Sequence, residues 1–307
     1  MSVSTPSGGL TDLSKYVYGT TRLGDDKLPQ TDRVKIARAA MDAGVWFHTS
    51  HQYGNALEVL RTAFDEDRAR VPKLIYKIGW SSIAELRETI AKNIGPLGLD
   101  HMDVGQLCLG GDLAEAFRTG DPACYDGLRQ LKEEGLVRRL VVEVFPWTSR
   151  VPLDAIRGGW AEGVIDGYIL YLNPLQRFAS NELWDEIQKR NLPVIAMRTV
   201  SGGSVLRLRD VPGAAWKPYL HDRAVEVAPL FEQSGIASWT EFCVRFAYGV
   251  PQVRATVGST ARPENLQEFI AATGDIRPLP AEIQRQIETL QRQWSDETDV
   301  HAEPWSM

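Results

Sequence analysis

The residues best suited to chemistry stand close behind short apolar segments of the chain. The stretch FHTSHQYGN contains His48, His51 and Tyr53, between one such segment and a helical pattern. Lys77 lies at the end of the next apolar segment. A lysine ammonium near a phenol lowers the pKa of the phenol from its ordinary value of about 10, which makes the phenol a better proton donor. We therefore expect Tyr53 and Lys77 to act together in proton transfer.

A second group of candidates occupies similar positions: Trp80, Cys108, Glu143 and Trp147. An unpaired carboxylate is costly to bury, so we expect Glu143 to be a general base or to pair with Lys77 or Arg198. Cysteine is more often a small buried residue than a nucleophile, and both roles stay open for Cys108. Trp80 and Trp147, together with His51, are predicted to line a substrate pocket, because such pockets have apolar and aromatic walls.

Two histidines three residues apart could also bind a metal ion. A zinc site needs at least three protein ligands, and no third ligand stands at a suitable spacing from His48 and His51. We therefore predict no metal site. The alternative for both histidines is a packed or solvated side chain.

An alternation of strands and helices would position these candidates. Segments with helical periodicity, such as DRVKIARAAMDAG, separate eight apolar segments that predict strands. The predicted strands are 15–20, 45–49, 73–78, 102–109, 137–145, 166–172, 193–198 and 254–259. No GxGxxG motif follows a strand, which disfavours a doubly wound sheet. We predict a single-domain (β/α)₈ TIM barrel over residues 1–307, ending in a helix and a loose tail from about 280 to 307, with the site at the carboxyl ends of the strands.

Composition disfavours several functional classes. The 307 residues carry a net charge of −6 without a Lys/Arg-rich run, so nucleic acid is not an expected partner. Three cysteines without CxxC spacing do not suggest a disulfide framework. No apolar run approaches the roughly 18 residues that span a bilayer, and no secretory signal is visible. We expect a cytoplasmic protein that acts on a small molecule; the sequence does not indicate its oligomeric state.

Eight stretches follow, in order, the motifs of one known family: YGTTRLG (18–24), IARAAMDAGVWFHTSHQYGN (36–55), KLIYKIG (73–79), LDHMDVGQLCLGG (99–111), LRQLKEEGLVRRLVVEVF (128–145), LYLNPL (170–175), VIAMRTVSGG (194–203) and VGSTARPENLQE (257–268). From about residue 16 to 270 the sequence resembles the aldo-keto reductases. This resemblance implies a (β/α)₈ barrel that reduces a carbonyl compound, such as an aldehyde, a ketone or a sugar-like molecule, with NADPH.

The resemblance also assigns the family's catalytic tetrad of Asp, Tyr, Lys and His to His48, Tyr53, Lys77 and Cys108. The tyrosine and the lysine are kept. A histidine stands in place of the carboxylate, and a thiol, which is a weak hydrogen-bond donor, in place of the histidine. A buried lysine without a negative partner has a lowered pKa. We therefore expect His48 to lie beside Lys77 and the pKa of Lys77 to be lowered.

The family's nucleotide site is matched unevenly. The positions that normally hold the nicotinamide ring and its amide align with Glu143, Val144, Ile169 and Met197. Valine and isoleucine offer an amide no hydrogen bond. The resemblance assigns the other cofactor-binding positions, several of them beside a helix N-terminus suited to an anion, to Thr20, Ser201, Gly202, Gly203, Gly258, Ser259, Thr260 and Arg262. We predict weak NADPH binding that is anchored by the phosphates, with Arg262 favouring the 2′-phosphate.

Three functions are compatible with these residues. The first is an NADPH-dependent carbonyl reductase. The second is a barrel enzyme without hydride transfer, a lyase or isomerase that moves protons through Tyr53, Lys77 and His48, with Glu143. The third is a non-catalytic binding protein, since a fold does not determine a function. A titration with NADPH discriminates the first function from the other two.

Overall fold

The fold is a closed parallel β-barrel surrounded by helices, seen in a computed structural model that describes residues 9–79, 82–201 and 218–298. Its strands are β1 (Tyr16–Gly19), β2 (Trp46–Thr49), β3 (Leu74–Ile78), β4 (Met102–Leu107), β5 (Val137–Val144), β6 (Gly167–Asn173), β7 (Gln176–Arg177), β8 (Val194–Met197) and β9 (Val253–Ser259). Strand β1 pairs in parallel with both β2 and β9, and β5 pairs with β6, so that the barrel closes. The short β7 forms an antiparallel hairpin with β6 outside the barrel. The predicted (β/α)₈ barrel and its eight strands are confirmed.

The helices of the described chain are α1 (Gln30–Asp42), α2 (Ala56–Asp65), α3 (Ile83–Leu97), α4 (Gly111–Thr119), α5 (Pro122–Glu133), α6 (Arg150–Gly158), α7 (Asn181–Lys189), α8 (Pro218–Ser234), α9 (Trp239–Tyr248), α10 (Pro263–Gly274) and α11 (Ala281–Thr298). Short 3₁₀ turns lie at Thr21–Gly24, Arg68–Arg70 and Pro146–Thr148. Local sequence determines where several helices begin. The hydroxyls of Ser82, Ser180 and Ser238 accept hydrogen bonds from the first turns of α3, α7 and α9.

The inside of the barrel changes from apolar to polar along its axis. Successive side chains of a strand point to opposite faces, so every second residue faces inward. Ile75, Val104 and Val141 belong to the buried apolar cluster inside the barrel. Two residues further along the same strands stand Lys77, Gln106 and Glu143. The polar residues therefore collect at the carboxyl ends of the strands, where the site is expected.

The opposite end of the barrel is closed. Leu10 and Leu13 pack with Trp46 in the interior cluster. The charged groups of Lys73 and Arg139 lie over the indole of Trp46, 5.1 and 5.2 Å from the ring centroid. Trp46, Lys73 and Arg139 close this end of the barrel, so that only the end at the carboxyl termini of the strands is accessible.

Helix α11 contacts the barrel beside the β6–β7 hairpin. The amide of Gln291 donates to the carbonyl oxygen of Asn173 at 2.8 Å and to that of Gln176 at 3.4 Å. The helix predicted from about residue 280 is thus observed, whereas the predicted loose tail beyond residue 298 lies outside the described residues. Within the described ranges, no helix is both long and apolar enough to cross a membrane.

Candidate active site

A cavity of about 450 Å³ opens at the carboxyl ends of β3, β4 and β5. Polar side chains form the floor of the cavity, and aromatic rings and small residues form its wall. The lining residues are Gln52, Lys77, Cys108, Leu109, Gly110, Gly111, Glu143, Phe145, Trp147 and Thr148. Its volume lies within the range of about 300–1,000 Å³ typical of small-molecule sites.

Lys77 and Glu143 form an ion pair across the floor of this cavity. The ammonium of Lys77 donates to Oε1 of Glu143 at 3.1 Å, and only 18% and 5% of the two side chains are exposed. Burial is the largest single influence and lowers the pKa of Lys77, but the charge and hydrogen bond of Glu143, together with the neighbouring Tyr53 and Cys108, raise this pKa above its ordinary value. The expectation of a lowered pKa is therefore wrong, because β5 supplies the carboxylate that β2 does not. Lys77 is a charged ammonium at neutral pH.

Cys108 contacts the other oxygen of the same carboxylate. Its thiol donates to Oε2 of Glu143 at a sulfur–oxygen distance of 2.7 Å. Burial and the neighbouring negative charge raise the pKa of the Cys108 thiol well above its ordinary value. Cys108 is thus a protonated hydrogen-bond donor to Glu143 and is not activated as a nucleophile.

His48 lies deeper in the barrel than the cavity. Its Nε2 is 2.6 Å from Oε1 of Gln106, which can only accept, so the imidazole donates this hydrogen bond. Burial, together with the charge of Lys77, lowers the pKa of His48 to about 4, and the imidazole is neutral at pH 7. His48 therefore does not take over the carboxylate's role beside Lys77. Its partner is an amide on β4.

Tyr53 follows β2 on a loop at the rim of the barrel. Its phenol shares a hydrogen bond with the side chain of Thr21. Burial raises the pKa of Tyr53 to about 12, although the charge of Lys77 acts in the opposite direction. The expected lowering of the phenol pKa by Lys77 is present but smaller than the effect of burial. Gln52, its neighbour in the chain, lines the cavity, whereas Tyr53 does not appear among the lining residues.

Two anchors fix the loop that carries Tyr53. The backbone N–H of His51 donates to Oδ1 of Asn93, whose Nδ2 donates to the carbonyl oxygen of Lys77. His51 also borders a small recess beside the main cavity, and burial lowers the pKa of His51. On the other side of the loop, Arg33 donates to the carbonyl of Leu23 and to the side chain of Asn55. The loop is thus tied to α3 and to α1.

Two glycines allow the Tyr53 loop to lie directly on the turn that follows β1. Gly54 has a φ of +52°, which a glycine adopts without strain. A Cβ atom at Gly24 would overlap with the carbonyl of Tyr53, and one at Gly54 would lie 2.6 Å from the carbonyl oxygen of Gly24. The backbones of the two loops therefore touch where no side chain fits between them.

Aromatic rings form one wall of the cavity and continue beyond it. Trp147 and Phe145 both line the cavity, and their rings are stacked with centroids 5.1 Å apart. Phe145 also meets Tyr171 edge to face, and Tyr171 stacks on Phe178 at 4.9 Å. Trp147 therefore lies where a pocket residue was predicted, and Phe145 joins it. Trp80, its predicted counterpart, lies outside the described residues.

The positions assigned to the nucleotide's amide side contain few polar groups. Ile169 and Met197 belong to the apolar cluster inside the barrel. Val144 belongs to the outer apolar cluster between the strands and the helices. Both oxygens of Glu143 are engaged by Lys77 and Cys108. None of these side chains is arranged to bind a carboxamide.

On the phosphate side, four assigned residues form a partly exposed group at the end of β9. The hydroxyl of Ser259 accepts from the backbone N–H of Arg22, and that of Thr260 accepts from the N–H of Arg262. Arg262 is exposed and stands at the N-cap position of α10, whose first-turn N–H groups favour an anion. Gly258 is held in contact with Phe269, since a Cβ atom there would overlap with the ring. This edge can hold phosphate oxygens.

The remaining assigned positions have structural partners or lie outside the described chain. Thr20 is buried and its hydroxyl donates to the carbonyl of His48, which joins β1 to β2. Ser201 is buried, and its carbonyl accepts from the indole of Trp239. Gly202 and Gly203 lie outside the described residues.

Several residues of the site escaped prediction from sequence. Gln106 was hidden within an apolar strand, although its alternation with Val104 is a signal that it faces inward. The sequence pattern marks Phe145 only as the end of its strand. Asn93, which ties Lys77 to the His51 loop, lies inside a helical pattern and carries no local signal of its role.

The fold and the site together define a (β/α)₈-barrel protein with an ion-paired lysine at the carboxyl ends of its strands. The chain belongs to the aldo/keto reductase family, whose family model matches residues 15–292. No protein among curated sequences matches the chain significantly.

Solved structures share this fold at low sequence identity. Aldo-keto reductase AKR11C1 from Bacillus halodurans, in its holo form, is 20% identical with a TM-score of 0.67, and the match covers 91% of this chain and 95% of that chain. An aldo/keto reductase from Klebsiella pneumoniae in complex with NADP and acetate is 19% identical with a TM-score of 0.66, and the match covers 91% of this chain and 92% of that chain. The thermostable aldo-keto reductase Tm1743, in complex with the inhibitor epalrestat, is 17% identical with a TM-score of 0.65, and the match covers 91% of this chain and 95% of that chain.

Proposed function

We propose that this protein is an oxidoreductase that reduces a small carbonyl compound with NADPH. The observation that carries the proposal is the Lys77–Glu143 pair, which keeps an ammonium charged on the floor of a small-molecule cavity. A positive charge there stabilises the negative charge that develops on a carbonyl oxygen during reduction. Membership of the aldo/keto reductase family supports the same reaction type.

The proton for the reduced oxygen is assigned to Tyr53. Its pKa of about 12 keeps the phenol protonated at neutral pH, and the charge of Lys77 favours its ionisation as the proton leaves. The loop contacts of Arg33 and Asn93 hold this residue at the rim beside the cavity. Tyr53 would then donate to a carbonyl oxygen at the rim of the cavity, within the electrostatic influence of the Lys77 ammonium.

The nucleotide supplies the hydride when it is bound. The exposed edge of Ser259, Thr260 and Arg262 fits its phosphates, and the Klebsiella pneumoniae relative is described with NADP. The amide side fits less well, because Ile169 and Met197 are apolar and Glu143 is engaged. Affinity would therefore come from charge at the phosphates, where Arg262 would distinguish NADPH from NADH.

Calorimetric titration with NADPH and NADH at low salt tests this proposal. We expect NADPH to bind more tightly, and Arg262→Gln to weaken NADPH roughly ten- to hundredfold without affecting NADH, since one charged hydrogen bond is worth about 1.5–3 kcal/mol. Arg277→Gln, which changes another exposed arginine, is the matched control. Tyr53→Phe should bind NADPH normally but reduce aldehydes 10²–10⁴-fold more slowly, the usual loss when a general acid is removed. Absence of binding at millimolar nucleotide would exclude the reductase.

A further inference from the structure

Two polar side chains on the cavity floor, those of Lys77 and Cys108, share the carboxylate of a third, Glu143. Glu143 accepts a hydrogen bond from Lys77 on one oxygen and from Cys108 on the other. All three side chains line the same cavity, so a small molecule in it meets a base, a cation and a thiol together. A base and a cation are the groups required for reversible removal of a proton from a carbon next to a carbonyl.

We infer that this cavity also catalyses proton exchange on small α-hydroxy carbonyl compounds, with Glu143 as the base and Lys77 as the group that binds the carbonyl oxygen. The reaction needs no nucleotide, and it goes beyond the reduction proposed above without depending on it.

The step balances within the substrate and these two residues. Glu143 takes the proton of the α-carbon, and the electrons of the broken C–H bond form a carbon–carbon double bond. The electrons of the carbonyl π-bond move to its oxygen, whose negative charge is stabilised by the Lys77 ammonium. Return of the proton from Glu143 to the same carbon restores the substrate, carrying a solvent hydrogen if the protonated carboxyl has exchanged with water, and return to the former carbonyl carbon, with transfer of the hydroxyl proton, gives the isomer. The isomerisation oxidises one carbon of the substrate and reduces its neighbour, so no external oxidant or reductant is needed.

The structure favours Glu143 as the base over the histidine considered from sequence. His48 donates its Nε2 proton to Gln106 and does not line the cavity. Glu143 lines the cavity, and each of its carboxylate oxygens keeps a lone pair beyond the one hydrogen bond that it accepts. Cys108 is assigned a positioning role, because its hydrogen bond holds Oε2 at the cavity floor.

The cavity's shape indicates the substrate class. A carbonyl and a neighbouring hydroxyl suit the charged floor, while Phe145 and Trp147 offer a flat apolar wall to the carbon chain. Gln52 and Thr148 add hydrogen-bonding groups among the lining residues. A compact α-hydroxy ketone or α-hydroxy aldehyde meets all three requirements.

The test is deuterium incorporation into dihydroxyacetone and hydroxyacetone, followed by proton NMR in D₂O with the full chain and no added nucleotide. We expect exchange at the hydroxymethyl carbon well above the buffer rate, and at least a hundredfold loss in Glu143→Gln purified in parallel. Asp166→Asn is the matched control. It breaks the comparable half-buried Lys132–Asp166 pair, 2.9 Å long and ahead of β6 at the other end of the barrel, and should keep the exchange rate.

A second variant separates chemistry from folding. Glu143→Asp keeps the charge for Lys77 but withdraws the carboxylate by one methylene, so we expect it to fold and to exchange at least tenfold more slowly. Exchange at the buffer rate with wild-type protein, or unchanged exchange in folded Glu143→Gln or Glu143→Asp, would overturn the inference. Because no nucleotide is present, such a failure leaves the reductase test unaffected, and a failure to bind NADPH leaves this test unaffected.

Discussion

The charge on Lys77 is balanced by a residue two strands away around the barrel. Lys77 and Glu143, and even their pairing as one alternative, are predictable from sequence, because both are ionisable residues at strand ends. The sequence does not rank Glu143 above His48, because the stagger of the strands decides which side chains face each other across a closed barrel. The same stagger places Gln106 beside Lys77 in the register and gives His48 a buried partner.

His48 makes a pH-dependent contribution to stability. Its pKa is lowered to about 4 in the folded state from 6.5, so between these values the unfolded chain binds more protons. The contribution of the neutral His48 to the free energy of unfolding is therefore complete above pH 6.5. It falls as the pH decreases towards 4, by up to about 3 kcal/mol. Urea unfolding at pH 7 and pH 5 should show this loss in the wild type and a smaller one in His48→Asn.

The control for that measurement is His221→Asn, which changes an exposed histidine on α8. It should lose as much stability between pH 7 and pH 5 as the wild type. An equal loss in His48→Asn would show that the acid sensitivity arises elsewhere.

At the scale of elements, the strands were predictable and the loop contacts were not. Apolar segments that alternate with segments of helical periodicity predict a barrel, because few other folds are compatible with this pattern. The position of Tyr53, however, depends on contacts between loops far apart in the chain, such as Arg33 with Asn55 and Gly24 with Gly54. A glycine in a loop predicts a turn but does not identify the backbone that it touches.

The contact between the two loops can be disrupted by one methyl group. Gly24→Ala places a Cβ atom against the backbone carbonyl of Tyr53, which cannot move without moving the loop. We expect a loss of about 1–3 kcal/mol in stability and a lower kcat for any reaction that uses Tyr53. Thermal unfolding and turnover measure the two effects.

Gly95→Ala provides the comparison, since it also adds a methyl group but has open space around it inside α3. It should keep its activity and change stability by less than about 1 kcal/mol, because the helix propensity of alanine is offset by the restriction that Pro96 places on the residue before it. Wild-type behaviour of Gly24→Ala would show that the loops are not held against each other.

At the scale of the whole molecule, the last helix is part of the barrel's support. Gln291 is buried and binds two carbonyls of the β6–β7 connection, which carries the aromatic group around Tyr171. Gln291→Met keeps the size of the side chain but leaves these carbonyls unpaired, so we expect a loss of about 1–3 kcal/mol in urea unfolding.

Gln293→Met, on the exposed face of the same helix, should change stability by less than about 0.5 kcal/mol. Equal effects of the two substitutions would mean that the contact of α11 with the hairpin contributes nothing to the folded state.

The position of the carboxylate on β5 constrains how such a site can evolve. In a relative that carries the acid on β2 and no carboxylate on β5, two substitutions lead to the arrangement found here. If the β2 acid is lost first, the half-buried ammonium at position 77 has no counter-charge, and loss of one partner from a buried pair costs about 3–5 kcal/mol. If glutamate appears first at position 143, the ammonium has two partners and the β2 acid becomes dispensable. The order in which glutamate appears first therefore avoids an unpaired ammonium. We expect relatives that carry both the β2 acid and the β5 glutamate.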